Sequence, residues 1–343
     1  MKSKLLWLLL ILLLIQSTFI VYKFGVFNNI TVLNPLVSVN LIPTHKPLEK
    51  YSFENLKSRS YPGSMIEFGQ VLNNQSLFTS QMFYFTSDGK KVSGLLTYPK
   101  NAIKAPIVVL IRGFVDQSIY KTGIGSSHVG EELAKNGFLT LSPDFLGYGE
   151  SASPSAVAIE ERFETYTTVL NLLSSVKFLN RSLSFNNLPI WVNPDNVGIW
   201  GHSNGGHITL ATLEISGASY PTVLWAPVSK PFPYSILYYT DEYEDLGKKL
   251  RKVVADFEKD YDADKYSVTS YFDWINAPII LQQGGADEAV PKGWSDVLYK
   301  TLKSLKKDVT YLTYPGEDHN FSKGSWSEMV QKDIGFYQKN FQK

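Results

Sequence analysis

Ser203 stands in the run Gly201-His202-Ser203-Asn204-Gly205-Gly206, which follows the apolar residues 197–200 and opens a segment of helical periodicity. A serine on such a strand-to-helix elbow occupies a sharp, strained turn, and its small neighbours let strand and helix approach closely. The arrangement suits attack on an acyl carbon, provided that a base takes the hydroxyl proton and a carboxylate orients the base. When a serine is carried on an elbow of this kind, the acid and then the histidine follow it in the chain. Of the 5 histidines, His45 and His128 precede Ser203, His202 is inside the elbow and His207 lies one helical turn beyond, which leaves His319 as the base. His319 belongs to Tyr314-Pro315-Gly316-Glu317-Asp318-His319-Asn320-Phe321, a loop after the last strand-like run. The acid is expected one loop earlier, in Gly284-Gly285-Ala286-Asp287-Glu288-Ala289-Val290-Pro291. Asp287 is the first choice there and Glu288 the second; Asp318 is disfavoured, because a sequence neighbour rarely meets the adjacent imidazole in the required geometry. His202 and His207 read as packing or helix-surface residues.

These groups need a scaffold that brings distant loops together. Residues 81–86 and 92–98 are β-prone runs around Ser87-Asp88-Gly89-Lys90, a hairpin signature. Residues 107–111 form a short apolar run of the kind that is covered on both faces. Further strands are expected at 138–141, 196–200, 222–225, 278–282 and 309–314, and helices at 128–135, 156–180, 204–215, 294–305 and 327–341. Strand and helix in alternation imply a mostly parallel sheet with helices on both faces, and chemistry on such sheets sits at the carboxyl ends of the strands.

With its motifs placed, the chain resembles an α/β-hydrolase, and within that fold the catalytic domain of the prolyl oligopeptidase family of serine peptidases. The resemblance runs over about 77–341 and rests on the Ser-Asp-Gly hairpin, Ser142-Pro143-Asp144 with Gly147-Tyr148-Gly149-Glu150-Ser151, the elbow, the loop around Asp287, and His319. It implies Ser203 as nucleophile, Asp287 as acid and His319 as base, with a short-peptide or other small-molecule substrate and no cofactor. Esterases of the fold share the same motifs, so a carboxylesterase is the alternative, and an inactive binding module a remote one. In the fold the oxyanion is held by the N–H after the nucleophile and one from the loop after the third strand, which points to Asn204 and Phe114. That loop reads Arg112-Gly113-Phe114 where His-Gly is common. Arg112 could bind a substrate carboxylate or support the loop, and the Tyr120 hydroxyl is a conceivable second oxyanion donor. The family's β-propeller is missing, since the residues between 24 and 77 are too few to build one. An insertion over 229–277, rich in Tyr and Phe, is read as either a partial lid or a solvated amphipathic helix.

Composition narrows the remaining options. With 33 Lys+Arg against 32 Asp+Glu the net charge is +1, which lacks the basic excess that nucleic-acid binding needs. There is no cysteine, so thiolate nucleophiles, Cys-ligated zinc and iron–sulfur clusters are excluded. The histidines show no metal-type spacing, and no metal is expected. Residues 5–22 carry no charge and follow Lys2 and Lys4, near the lower limit of about 18 residues for spanning a bilayer. The expectation is a single-pass anchor with the catalytic domain outside the cytoplasm, or a cleaved secretory signal, over residues 1–23. A spacer and extension over 24–76 and a catalytic domain over 77–343 would follow.

Overall fold

A computed structural model describes residues 46–342 except residue 101. Its strands are β1 (Glu67–Asn74), β2 (Phe78–Ser87), β3 (Lys90–Pro99), β4 (Ile103–Ile111), β5 (Leu139–Pro143), β6 (Trp191–His202), β7 (Thr222–Trp225), β8 (Ile279–Gly284) and β9 (Val309–Tyr314). They form one sheet in the order β1-β2-β3-β5-β4-β6-β7-β8-β9. The first three strands are antiparallel to their neighbours, and every pairing from β5 and β4 onward is parallel. The chain leaves β4 towards β5 on one side and β6 takes the other, so a crevice opens at the carboxyl ends of β4 and β6. This is the α/β-hydrolase fold.

The apolar runs explain the layering. In β4, Ile107, Val109 and Ile111 face one core, while Val108 and Leu110 face the other, as the two-residue period of a strand requires. The first core is closed by the helices Ala158–Ser175 and Asn204–Ser216, through Phe163, Tyr166 and Leu210. The second is closed by Ser127–Lys135 and Trp326–Phe341, through Leu133, Met329 and Tyr337. Each fully buried aliphatic or aromatic side chain contributes about 1.5–3 kcal/mol, so two filled faces hold the central strands firmly. The β2–β3 hairpin turns on Asp88 and Gly89, both with positive φ (51° and 78°), the conformation that suits Asp-Gly.

From Leu48 onward the chain is one compact unit. The helix Phe53–Ser58 joins it early: Phe53 is fully buried and stacks on Tyr271 at 5.1 Å. Strand β1, which no alternation of apolar residues announces, pairs with β2 as the sheet edge. The helix expected over 156–180 is interrupted by a 3₁₀ turn, Val176–Phe178, and resumes as Leu179–Phe185.

The expectation of a single-pass membrane protein with its catalytic domain outside the cytoplasm is corrected here. Among the described residues no helix is long and apolar enough to cross a membrane, and the apolar segment 5–22 lies outside them.

Candidate active site

Ser203 joins β6 to the helix Asn204–Ser216 with φ 57° and ψ −122°, a backbone conformation that costs about 1–3 kcal/mol for a residue other than glycine. Hydrogen bonds hold it there: its N–H donates to the Trp225 carbonyl at 3.0 Å, and its carbonyl accepts from the N–H groups of Gly206 and Val228, both at 3.0 Å. The flanking glycines are required by close approach. A Cβ on Gly205 would lie 2.0 Å from the Ile111 carbonyl oxygen, and one on Gly201 would lie 2.2 Å from Thr209 Oγ1. Gly113, at the start of the loop after β4, passes so close that a Cβ there would sit 3.0 Å from Ser203 Cβ.

His319 and Asp287 meet from the loops after β9 and β8. His319 Nδ1–H donates to Asp287 Oδ2 at 2.9 Å. The same oxygen accepts from Gln283 Nε2 at 2.9 Å, and Oδ1 accepts from the N–H groups of Ala289 (3.0 Å) and Val290 (2.8 Å). Burial pushes the Asp287 carboxyl up, but the His319 and Val290 hydrogen bonds, with Gln283, outweigh it and hold the group below its usual range. It is therefore a carboxylate at neutral pH. Asp318 turns away and accepts from the N–H groups of Asn320 and Ser322, and Glu288 is exposed. Ser203 lines the same cavity as His319. Its hydroxyl forms no hydrogen bond among the described residues; such contacts commonly tighten only when substrate is bound.

The two histidines read as packing residues have specific partners. His202 Nε2–H donates to the His319 carbonyl at 3.0 Å, tying the elbow to the loop that carries the base. His207 Nδ1–H donates to the Val228 carbonyl at 2.9 Å, and its Nε2 accepts from the Tyr166 hydroxyl at 3.1 Å. Burial first, with the nearby charge of His319 or Arg162 second, pushes each pKa down to about 3. Both rings are neutral when folded, whereas the unfolded chain protonates them below about pH 6.5. The unfolded state then binds more protons, so stability falls as pH drops from 6.5 towards 3. His207→Gln is expected to lose about 1.5 kcal/mol less than the wild type between pH 6.5 and 5.0, read from urea unfolding at the two pH values. An unchanged slope would mean that His207 already carries its proton in the fold.

Arg112 is committed to the loop. Its guanidinium donates to the carbonyls of Gly113 (2.9 Å) and Asp144 (3.0 Å) and lies over the rings of Tyr148 and Tyr120 at 4.2 and 4.5 Å. The Tyr120 hydroxyl donates to Asp144 at 2.6 Å, which occupies the group considered as an oxyanion donor. Asp144 is fully buried and also accepts from Ser93 and Thr122. Phe114 follows Gly113 and lines the cavity at Ser203. The N–H of Asn204, in the first turn of its helix, has no partner within that helix.

The cavity at Ser203 measures about 320 Å³ and is also lined by Phe114, Arg162, Ile236, Tyr239 and Tyr243. Three of these come from residues 229–277, so that segment lines the site, while its helix Lys248–Asp260 buries Val254 and Phe257, packs Leu250 and Val253 against the core and exposes its other side chains. Of the tyrosines in this segment, Tyr239 reaches the cavity, whereas Tyr238 packs on Trp294 at 4.7 Å. Arg162 and Gln283 escape sequence reasoning: one sits among helical glutamates and reads as surface, the other is a polar residue in a buried strand.

Residues 178–343 match the prolyl oligopeptidase family. The "Uncharacterized peptidase YtmA" of Bacillus subtilis (strain 168) is 26% identical over 243 residues, covering 69% of this chain and 84% of that protein. The "Dipeptidyl aminopeptidase BIII" of Pseudoxanthomonas mexicana is 28% identical over 137 residues, 38% of this chain and only 19% of that protein. Among solved structures, acetyl xylan esterase 1 from Thermoanaerobacterium sp. superposes with a TM-score of 0.58 at 17% identity, over 85% of this chain and 94% of that one, a likeness of fold. All strands among the described residues belong to one sheet, and none forms a propeller.

Proposed function

We propose that this chain, an α/β-hydrolase that carries a prolyl oligopeptidase family domain over residues 178–343, is a serine peptidase that cleaves short peptides through an acyl-enzyme on Ser203. The observation that carries the reading is the hydrogen bond from His319 Nδ1–H to a buried carboxylate, Asp287, with the imidazole and a strained elbow serine lining one cavity. Asp287 keeps the proton on Nδ1, so Nε2 is free to take the Ser203 hydroxyl proton as Oγ bonds to the acyl carbon. The N–H groups of Asn204 and Phe114 receive the developing oxyanion; each such donor is worth on the order of 10²–10³ in rate. Collapse of the tetrahedral intermediate breaks the bond to the leaving group, which takes the proton from His319. Water then adds to the acyl-enzyme by the same route and frees Ser203.

Peptide over ester rests on the two sequence relatives, both named peptidases. The test compares aminoacyl 4-nitroanilides with short-chain nitrophenyl esters and labels the protein with a fluorophosphonate. Anilide turnover, with labelling lost in Ser203→Ala, is the expected result. Ester turnover alone would make the protein a carboxylesterase of the same fold, and labelling that persists in Ser203→Ala would move the nucleophile elsewhere. Silence in both assays would leave a binding module.

A further inference from the structure

A second cavity, of about 300 Å³, adjoins the one at Ser203 and shares Phe114, Arg162, Asn204, Ile236 and Tyr243 with it. It holds neither Ser203 nor His319. Arg162, from the helix Ala158–Ser175, stands where the two meet. Its Nε is buried without a hydrogen-bond partner, and it forms no ion pair among the described residues. The acids nearest in sequence are taken elsewhere: Glu160 pairs with Lys50 at 2.8 Å and Glu164 with Lys90 at 2.5 Å. Both lie two positions from Arg162 and so point away from it on the helix. Glu161 lines the second cavity but does not pair with Arg162. The groups that bear on the guanidinium are the phenols of Tyr166, Tyr243 and Tyr239, none of them a carboxylate.

A guanidinium keeps its charge at any working pH. Arg162 is part-buried with its Nε enclosed; holding a charge there without a counter-ion costs free energy that an incoming anion recovers, and its planar fork fits a carboxylate with two parallel hydrogen bonds. The leaving group must reach His319, which lines only the nearer cavity. Arg162 lines both cavities, so an acyl portion held on Ser203 that extends away from His319 comes to it. We propose that Arg162 recognises a carboxylate on the acyl portion of the substrate, making glutamyl-type acyl groups preferred over their neutral isosteres. This deepens the serine-hydrolase reading and rests on it.

The experiment uses N-acetyl-Glu and N-acetyl-Gln, each as the α-4-nitroanilide and the α-methyl ester, so that the bond type does not decide the answer. The wild type is expected to favour Glu in kcat/KM by about tenfold or more, the range of a charge-assisted hydrogen bond. The ratio is expected to fall to about one in Arg162→Gln and to be kept in part by Arg162→Lys, which preserves the charge without the fork. A wild-type ratio of one or below, or a ratio unchanged in Arg162→Gln, overturns the assignment. The wild-type ratio needs no variant, so misfolding of a variant cannot shelter the idea. Fluorophosphonate labelling of Ser203 separates the two levels: labelling with a wild-type ratio of one sinks Arg162 alone, whereas no labelling and no turnover of any substrate sinks the hydrolase reading and this inference together.

Discussion

Asp287→Asn is expected to lower kcat by about 10⁴-fold with KM little changed, the size of effect known for removing the orienting carboxylate of a serine triad. The reason lies in the four hydrogen bonds that Asp287 accepts. Oδ1 receives the N–H groups of Ala289 and Val290, and Oδ2 receives His319 Nδ1–H and Gln283 Nε2–H. An asparagine keeps its oxygen on the two backbone donors, which places its NH₂ where Oδ2 was. Donor would then face donor at both Gln283 and His319. The imidazole relieves the clash by moving its proton to Nε2, and in that tautomer it cannot take a proton from Ser203. Glu288→Gln is the control, because that side chain is exposed, and its effect should stay within the scatter of surface substitutions. Steady-state kinetics of both variants on the best chromogenic substrate decides the matter. A loss of similar size at Glu288, with Asp287→Asn near wild type, would move the acid by one residue.

Some of this architecture is legible in the sequence because a single local cause dictates it. The run 309–314 becomes β9 (Val309–Tyr314), and 204–215 becomes the helix Asn204–Ser216, ended by Gly217 with φ 62°. Apolar periodicity and one left-handed stop suffice there. His319 is legible by elimination among five histidines, and Asp287 by its place after a buried strand. What stays hidden depends on partners far away in the chain. Strand β1 reads Glu-Phe-Gly-Gln-Val-Leu-Asn-Asn and is mostly wet, so only the free edge of β2 makes it a strand. β6 begins at Trp191, ahead of Pro194, because it can pair with the outer end of β4. The same holds in the site. His202 acquires its role from a carbonyl 117 residues later, and Arg162 is conspicuous only once its helical neighbours are seen to bond lysines from other elements.

Glu214 carries the largest expected change in stability. It lies on the helix Asn204–Ser216, fully buried, and neither carboxyl oxygen has a hydrogen-bond partner among the described residues. Burial, reinforced by Asp273 and only partly offset by Lys57, pushes the carboxyl well above its usual range. The group is thus protonated in the fold at pH values where the unfolded chain has already released the proton. The folded state binds more protons, so this residue lowers stability as pH rises above about 4.3, by about 1.4 kcal/mol per unit until the folded group itself titrates. Methionine has a similar length and no orphaned oxygens. Glu214→Met is therefore expected to stabilise the protein by about 1–3 kcal/mol from desolvation alone, with a further advantage that grows with pH through the linkage. Urea unfolding at pH 5.0, 6.5 and 8.0 measures this as the difference between variant and wild type. Asp333, another buried carboxyl pushed upward by burial, is present in both proteins and cancels. A variant that is less stable at every pH would show that the carboxyl has a partner that the fold supplies, and a difference independent of pH would show that Glu214 titrates alike in the folded and unfolded chain.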